Sequence, residues 1–385
     1  MKKTNFFKDH KILTCPLTYN KSFKKIFSIK SFPIYMGTIP KKNKTTSKNM
    51  NFYINKISGS VQIFPRVDLT DLYFKSHGSG KVGTTWQNHH KVFFNFLKIK
   101  NKNKILEIGG GHNSISLKPS KNFFFSVTSF DPNGKKISDR NKFYNEFFSN
   151  QSISKYKLYK KFDIVVHSHL FEHIYEPENF LNSIHSSLKD NGLHFFAVPN
   201  MEPMIKKGIA SAMNFEHPFF LNEYTIDVLL KKTGFKILEK KYYGKHHSIF
   251  YKTIKYSNLE NVKVKNLYNK NYPLFKNLYK NWKLDALKIN KKILKNPSKE
   301  IFIFGAHIFS QNLIKMGVNV KNIMGILDND KDKQNEYLYG TNLKVFSPKL
   351  LKQFSDPVVI LRAGEYNLEI KKQILNNINP KTIFI

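Results

Sequence analysis

The sequence contains a single cysteine, Cys15, in 385 residues. One cysteine excludes an intramolecular disulfide and a metal site built from several cysteines. Arginine is scarce although the formal net charge is +37, because lysines are spread along the whole chain among many asparagine, isoleucine and phenylalanine residues. Nucleic-acid binding usually depends on local clusters of basic residues, so we do not expect a nucleic-acid partner.

Long apolar runs are also missing from the chain. No segment approaches eighteen apolar residues without a charge, so we expect no membrane span. The basic residues among the first ten positions are not followed by an uninterrupted apolar segment of the kind found in secretion signals. We therefore expect a cytoplasmic protein, and the length favours two or three domains.

Strand and helix patterns alternate in two regions, 104–254 and 299–385. The strand candidates of the first region are 104–108, 124–130, 162–167 and 193–198, and those of the second are 301–304, 323–327, 358–361 and 382–385. A helix is predicted over 177–189, with Pro177 at its start and Asp190-Asn191-Gly192 closing it. This alternation predicts an α/β fold with two Rossmann-like units built on parallel strands.

The segments outside these two regions are shorter. Residues 1–66 are basic and rich in turn-forming residues, which indicates a small, irregular N-terminal module. Apolar residues at helical spacing in 86–97 predict a helix before the first strand of the central region. Residues 255–298 are polar and lysine-rich, and the apolar period from Phe275 to Leu294 predicts a connecting helix.

A glycine-rich segment follows the first central strand. The apolar run 104–108 leads into Gly109-Gly110-Gly111, and Asp131 ends the next apolar run twenty positions after Gly111. Glycines at this point let a ligand approach the backbone, and an acidic residue after the second strand can accept hydrogen bonds from ribose hydroxyls. The pattern predicts a site for a cofactor that contains a nucleoside.

The glycine pattern distinguishes two classes of cofactor. A dinucleotide site has a third glycine where this chain has Ser114, and this chain also carries Glu107 two positions before Gly109. The Glu-x-Gly-x-Gly pattern, the strand and loop 162–174 and the segment 188–200 resemble class I S-adenosylmethionine-dependent methyltransferases. NAD binding and a Rossmann-like unit without a ligand stay open as alternatives. The resemblance implies S-adenosylmethionine as the cofactor, bound by Glu107, Gly109, Gly111, Asp131, Pro132 and His169.

Over nearly its full length the chain also resembles the three-part sugar C-methyltransferases. In that family a zinc-binding N-terminal module precedes the methyltransferase domain, and a Rossmann-like domain follows it. The segments that carry this resemblance are 15–33 with 58–62, 215–220 with 245–248, and 305–307 with 327–331 and 339–340. The resemblance implies four parts: a degenerate zinc-binding-like module at 1–66, the methyltransferase domain at 67–254, a helical connector at 255–298 and the C-terminal domain at 299–385.

The chain departs from this family at the zinc module. Thr18 stands where a Cys-x-x-Cys partner of Cys15 is expected, and Tyr53 and Ser58 lie near the place of the second cysteine pair. A tetrahedral zinc ion needs four sulfur, imidazole or carboxylate ligands. We therefore expect no zinc in this module and no metal ligands elsewhere.

The resemblance also implies a reaction and its residues. Methylation of carbon needs a carbanion equivalent, which a 4-keto sugar nucleotide provides when its C3 loses a proton. The resemblance implies that Glu216 and His217 form a catalytic dyad, in which the imidazole is the general base and the carboxylate orients it. His173 would assist as an acid–base group or donate to the enolate oxygen. Tyr73 would join this catalytic set at the sugar pocket, which His246 and His247 would line.

Three functions follow from these residues. The leading prediction is a methyltransferase that acts on a nucleotide-linked deoxysugar. The first alternative is O- or N-methylation of another small metabolite, with His217 as the base that deprotonates a hydroxyl or amine. The second is a non-catalytic protein that retains the methyltransferase fold, in which His217 caps a turn before Pro218 and His173 is a loop residue.

Overall fold

The computed structural model describes residues 12–41, 45–73, 83–110, 126–134, 141–256 and 262–385. Its α-helices are α1 (Leu69–Leu72), α2 (Thr84–Phe96), α3 (Asn150–Lys155), α4 (Pro177–Ser187), α5 (Met201–Lys206), α6 (Glu223–Lys232), α7 (Tyr268–Leu294), α8 (Ile308–Met316) and α9 (Asn367–Asn377). The strands of the N-terminal and central regions are β1 (Phe23–Pro33), β2 (Thr38–Ile39), β3 (Ser47–Asn55), β4 (Val61–Phe64), β5 (Lys104–Ile108), β6 (Ser126–Phe130), β7 (Lys142–Tyr144), β8 (Phe162–Ser168), β9 (Leu188–Pro199), β10 (Phe235–Tyr243) and β11 (Ser248–Lys255). The C-terminal strands are β12 (Ile301–Phe304), β13 (Ile323–Leu327), β14 (Tyr337–Leu338), β15 (Val345–Phe346), β16 (Val358–Leu361) and β17 (Ile383–Phe384).

A seven-stranded sheet forms the centre of the molecule, with the order β10-β11-β9-β8-β5-β6-β7. The strands from β9 to β7 pair in parallel, whereas β11 pairs antiparallel with both β9 and β10. Ile105 and Val165 are fully buried in neighbouring strands, as expected for parallel strands covered on both faces. The parallel β5, β6 and β8 end at the same edge of the sheet, which brings the loops after them together.

The helix predicted before β5 is present as α2 and covers one face of this sheet. Phe93 and Phe96 of α2 are buried, and both rings contact Phe250 of β11. His89 lies on the same buried side of the helix, one turn before Phe93. The apolar face of α2 therefore carries one histidine into the protein interior.

The prediction for 177–189 is wrong at its C-terminal end. Helix α4 ends at Ser187, and β9 begins at Leu188, so Asp190-Asn191-Gly192 does not close a helix. Leu188 is fully buried and pairs with Phe162 of β8, and an irregularity follows before the regular register resumes. Asn191 takes a φ of 60°, so the turn-forming residues bend an early part of the strand.

A second sheet occupies the C-terminal region, with the order β15-β13-β12-β16-β17 and only parallel pairs. The prediction of an α/β fold with two Rossmann-like units is therefore confirmed. The predicted connecting helix is present as α7, which begins seven residues before Phe275. Arg362 at the end of β16 donates two hydrogen bonds to Asp285 of α7, at 2.7 and 2.9 Å, and so holds the helix against this sheet.

The N-terminal region is more regular than its composition indicated. Strands β1, β3 and β4 form an antiparallel sheet, and β2 pairs with β14 of the C-terminal region. Cys15 is fully buried, and its Sγ lies 3.2 Å from Ser58 Oγ and 3.3 Å from Ser60 Oγ. In the part of the chain that the structure describes, no helix has both the length and the apolar character to cross a membrane.

Candidate active site

Glu107 and Asp131 lie side by side at the carboxyl edge of the central sheet. Glu107 belongs to β5 and is 4% exposed, and Ser129 of β6 donates to its Oε2 at 3.3 Å. Asp131 directly follows β6, and its Oδ1 accepts from the backbone N–H of Asn133 at 2.9 Å. The structure therefore brings together Glu107 and Asp131, the two acidic residues of the sequence motif. Gly111 lies outside the described residues.

The glycines after β5 are required by the position of Glu107. Gly109 has a φ of 68°, in the left-handed region that glycine adopts without strain. A Cβ at Gly110 would lie 2.7 Å from the carboxyl carbon of Glu107. Because Gly110 has no side chain, the Glu107 carboxylate can pack directly against the loop. A ligand would approach the backbone at the same point.

Asn145 shapes the loop after β6, a role that the sequence motif did not reveal. Its side-chain amide donates to the backbone carbonyls of Asp131 and Pro132 at 3.1 and 2.9 Å. Pro132 itself lines the cavity described below. Asn145 follows β7, the strand beside β6, and so a neighbouring strand supports the backbone next to Asp131.

A cavity of 1080 Å³ begins at this edge and continues to the carboxyl edge of the second sheet. Eleven of the predicted site residues, from both the cofactor group and the catalytic group, line it: Tyr73, Glu107, Gly109, Asp131, Pro132, His169, His173, Glu216, His217, His246 and His247. At its far end the cavity is lined by Gly305, His307 and Asp328. The cofactor candidates and the catalytic candidates therefore share one space.

The imidazole of His217 is oriented by a backbone carbonyl. Its Nδ1 lies 2.8 Å from the carbonyl oxygen of Ser211, whereas the sequence analysis assigned the orienting role to Glu216. That expectation is corrected, because a carbonyl oxygen only accepts and thus places the Nδ1 proton on this side of the ring. Asn214 holds the turn by accepting from the backbone N–H groups of Glu216 and His217 at 2.8 and 3.2 Å.

His217 belongs to a compact group with His173 and Glu172. One nitrogen or oxygen atom of each side chain lies within 4.8 Å of the others, and the two imidazole rings are 4.5 Å apart. His173 Nδ1 also lies 2.7 Å from the hydroxyl of Tyr73. The structure thus joins Tyr73 with His173, 100 positions away in the sequence, and His173 with His217.

Glu172 is a site residue that the sequence analysis did not single out. Its side chain is 1% exposed, and burial raises its pKa to about 7 although the nearby His217 lowers it. Its Oε1 lies 3.3 Å from His169 Nδ1. The sequence does not single out Glu172, because only the fold shows that its side chain points into the protein.

A second histidine group lies next to Glu172. His169 has a φ of 49°, and its Nε2 is 2.9 Å from Ser248 Oγ, which is in turn 2.5 Å from His247 Nδ1. Burial lowers the pKa of both His169 and His247 to about 3, so both rings are neutral. Both ring nitrogens of His169 have protein partners, and this arrangement does not support the predicted contact between its ring and a cofactor.

The C-terminal region contributes directly to this second group. The hydroxyl of Tyr366 lies 3.3 Å from His247 Nε2, and its ring is 6.1 Å from the imidazole. Glu369 accepts hydrogen bonds from the Thr84 backbone at 2.7 Å and from the Thr85 hydroxyl at 2.9 Å, at the start of α2. The sequence analysis missed both residues, because nothing in the sequence connects α9 to a helix so far away.

Comparison with known protein families identifies the central region. Residues 86–240 match the family described as "Methyltransferase domain". This match covers less than half of the chain, and it supports a class I S-adenosylmethionine-dependent methyltransferase domain in the central region. The comparison with curated proteins gives no match. The family match supports a transferase that uses S-adenosylmethionine.

Solved structures similar to this chain cover about half of it. A putative S-adenosylmethionine-dependent methyltransferase from Listeria monocytogenes is 11% identical, with a TM-score of 0.38, over 44% of this chain and 100% of that chain. The 1,6-didemethyltoxoflavin-N1-methyltransferase of Burkholderia thailandensis, solved with bound S-adenosylhomocysteine, is 12% identical with a TM-score of 0.38, over 51% of this chain and 96% of that chain. A methyltransferase from Methanosarcina mazei is 17% identical with a TM-score of 0.34, over 43% of this chain and 97% of that chain.

The residues of the methyltransferase domain fit S-adenosylmethionine. Asp131 stands at the end of the second strand, where a carboxylate can accept hydrogen bonds from both ribose hydroxyls. Because Gly110 is a glycine, no side chain covers the backbone beside Glu107. The cavity at this edge is of the size that encloses a ligand as large as this cofactor together with a second molecule.

Proposed function

We propose that the methyltransferase domain methylates the C3 carbon of a 4-keto deoxysugar nucleotide through an enolate. The observation that carries this proposal is the group formed by Glu172, His173 and His217 in the cavity that also reaches Asp131. Removal of a proton from carbon requires a base and a hydrogen-bond donor for the oxygen that becomes negative. The two imidazoles are 4.5 Å apart and can divide these two roles.

His217 has the arrangement of a base. The hydrogen bond to the Ser211 carbonyl places its proton on Nδ1, and the lone pair is then on Nε2. In the proposed reaction Nε2 takes the proton from C3, and the electron pair of the C–H bond moves into the enolate. The contact from Ser211 fixes the ring, so His217 does not have to be oriented at the moment of reaction.

His173 has the arrangement of a donor to the substrate oxygen. If the Tyr73 hydroxyl donates to His173 Nδ1, the histidine carries its proton on Nε2. That proton can be donated to the C4 oxygen as the enolate forms. When S-adenosylmethionine is bound, it supplies the methyl group that the enolate carbon attacks, a step governed mainly by the relative position of the two molecules.

The second sheet supports a nucleotide-linked substrate. Gly305, His307 and Asp328 line the far end of the same cavity, at the carboxyl edge of β12 and β13. Asp328 Oδ2 accepts from the backbone N–H of Ala306 at 2.7 Å and so shapes the loop after β12. Ligands of parallel α/β sheets bind at this edge, which suits the nucleotide half of a substrate whose sugar lies at His217.

Incubation with labelled S-adenosylmethionine and a panel of 4-keto sugar nucleotides tests the proposal. We expect a branched sugar, and we expect solvent deuterium to enter C3 even without cofactor. Label on an oxygen or nitrogen of the acceptor, without exchange at C3, would instead support O- or N-methylation. Failure of the chain to bind S-adenosylmethionine in calorimetry would support a non-catalytic role.

A further inference from the structure

Three histidines from separate parts of the methyltransferase domain converge beside the cavity. His89 belongs to α2, His169 follows β8, and His247 precedes β11. Their ring centroids lie 5.1, 5.3 and 5.8 Å apart, and one nitrogen atom of each ring lies within 4.8 Å of the others. None of these histidines belongs to the proposed catalytic group of Glu172, His173 and His217, which the three-histidine group adjoins through the contact of His169 with Glu172.

His89 is the member that protein contacts do not explain. Its side chain is fully buried, and within the described part of the chain neither of its ring nitrogens has a hydrogen-bond partner. A buried imidazole without partners is costly, because it has lost its hydrogen bonds to water. Phe93 and Phe250 pack against His89, and a phenylalanine would suit these neighbours better unless a nitrogen is needed.

The other two rings have partners that prepare them as metal ligands. Glu172 Oε1 lies 3.3 Å from His169 Nδ1, and a proton on this nitrogen, facing the carboxylate, places the lone pair on Nε2. This order of carboxylate, imidazole and nitrogen lone pair is typical of histidines that bind zinc, and here the lone pair faces the Ser248 hydroxyl. His247 contacts the Ser248 hydroxyl through Nδ1 and the Tyr366 hydroxyl through Nε2, so binding of an ion exchanges one of these contacts for the metal.

We propose that His89, His169 and His247 bind one divalent transition-metal ion of the zinc class. Three neutral imidazoles suit zinc, whereas magnesium and calcium prefer oxygen ligands. The ligand nitrogens of a tetrahedral zinc ion lie closer together than 4.8 Å, and small rotations of the rings would close this gap. The ion takes its fourth ligand from Ser248 Oγ, which already lies within 2.9 Å of both His169 Nε2 and His247 Nδ1.

Cobalt binding to the full, tag-free chain tests this site, because tetrahedral Co²⁺ with nitrogen ligands absorbs visible light. After treatment with a chelator, we expect the wild-type chain to bind one Co²⁺ with the d–d bands of a tetrahedral ion, and Zn²⁺ to displace it. His89→Phe keeps the aromatic packing against Phe93 and should lower Co²⁺ affinity by at least about 100-fold, since loss of even an outer partner costs about 10–100-fold. His169→Gln should have the same effect if His89→Phe does not fold.

Two matched variants separate this site from other histidines. His217→Ala removes a member of the neighbouring group and should leave the Co²⁺ bands unchanged. His185→Ala, in α4, controls for binding at the protein surface. Absence of tetrahedral bands in the wild-type chain, unchanged affinity in His89→Phe, or loss of binding in His217→Ala would each overturn the proposal. None of these measurements depends on turnover, so they are independent of the proposed reaction.

Discussion

The Nδ1 atom of His217 lies 2.8 Å from the carbonyl oxygen of Ser211, and this contact places the ring proton on Nδ1 and the lone pair on Nε2. A carboxylate in the same place would also have raised the basicity of the ring, whereas a carbonyl mainly fixes its tautomer. Ser211 is the middle residue of a short 3-10 turn at Ala210–Ala212, and Asn214 accepts from the backbone N–H of His217 in the same loop. A local loop is thus sufficient to orient the base.

The first prediction concerns His217. We expect His217→Gln to lower turnover by about 10²–10⁴-fold, the usual contribution of a general base, with little change in cofactor affinity. Deuterium exchange at C3, followed by NMR or mass spectrometry, should fall in parallel with turnover. His185→Gln should leave both rates unchanged, because that histidine lies in α4, outside the cavity. Normal turnover in His217→Gln would contradict the proposed chemistry.

The second prediction concerns cofactor binding. Asp131→Ala removes a carboxylate at the end of β6, and hydrogen bonds to a charged group contribute about 1.5–3 kcal/mol. We therefore expect the Kd for S-adenosylmethionine to rise by about 10–100-fold in calorimetry. Asp190→Ala is the matched control, because its carboxylate is 71% exposed and pairs with Lys160 and Lys255. Equal affinities in wild type and Asp131→Ala would remove Asp131 from the site.

The third prediction concerns Gly110 and Glu107. A Cβ at position 110 would lie 2.7 Å from the Glu107 carboxyl carbon, so Gly110→Ala should destabilise the fold by about 1–3 kcal/mol through overpacking. In chemical denaturation the cost should be smaller when Glu107→Ala is already present, because the crowded group is gone. Additive effects of the two substitutions would show that the carboxylate is not the group in contact.

The fourth prediction concerns pH and the start of α2. Burial alone would raise the pKa of Glu369, but hydrogen bonds from Thr84 and Thr85 overcome this effect and lower it. A lowered pKa in the folded state means that the stabilisation is present above the pKa of the unfolded chain and is lost as the pH falls through the folded value. At pH 7, Glu369→Gln should cost about 1 kcal/mol of unfolding free energy, as loss of a helix cap does.

The same variant should behave differently in acid. As the pH falls below the ordinary range of a glutamate, wild type loses the charge that Glu369→Gln never had, so the difference in unfolding free energy should shrink. Glu176→Gln serves as a reference, because this glutamate accepts only an exposed hydrogen bond from Asn179 in its own helix. A difference that stays constant from pH 7 into acid would show that the charge of Glu369 does not stabilise α2.

The parts of the fold that follow a local pattern could be predicted from the sequence. Strands such as β5 and β8 are apolar runs between turn-forming residues, and α2 has apolar residues at helical spacing. The end of α4 could not be predicted, because Asp190-Asn191-Gly192 resembles a helix terminus. In the structure the helix has already ended there, since Leu188 pairs with Phe162 of β8. Tertiary pairing there overrides the local signal.

The candidate site also contains residues that a sequence pattern reveals and residues that it does not. Glu107 and Asp131 could be found because the glycine motif fixes their spacing along the chain. Ser211 could not be found, since its backbone carbonyl is the functional group and any residue carries one. For His89 a signal existed, because its spacing from Phe93 places it on the apolar face of α2. A histidine on such a face is more often read as part of the core.

The contacts of Tyr366 and Glu369 have a consequence for synthesis of the chain. Thr84 leaves the ribosome long before Glu369, which follows 285 positions later. At about 5–20 residues per second, the start of α2 therefore waits roughly 15–60 s for its carboxylate. His247 likewise waits for the hydroxyl of Tyr366. The nascent methyltransferase domain can pair its strands during this interval, but the wall of its site that faces the C-terminal region is completed only after translation has passed residue 369.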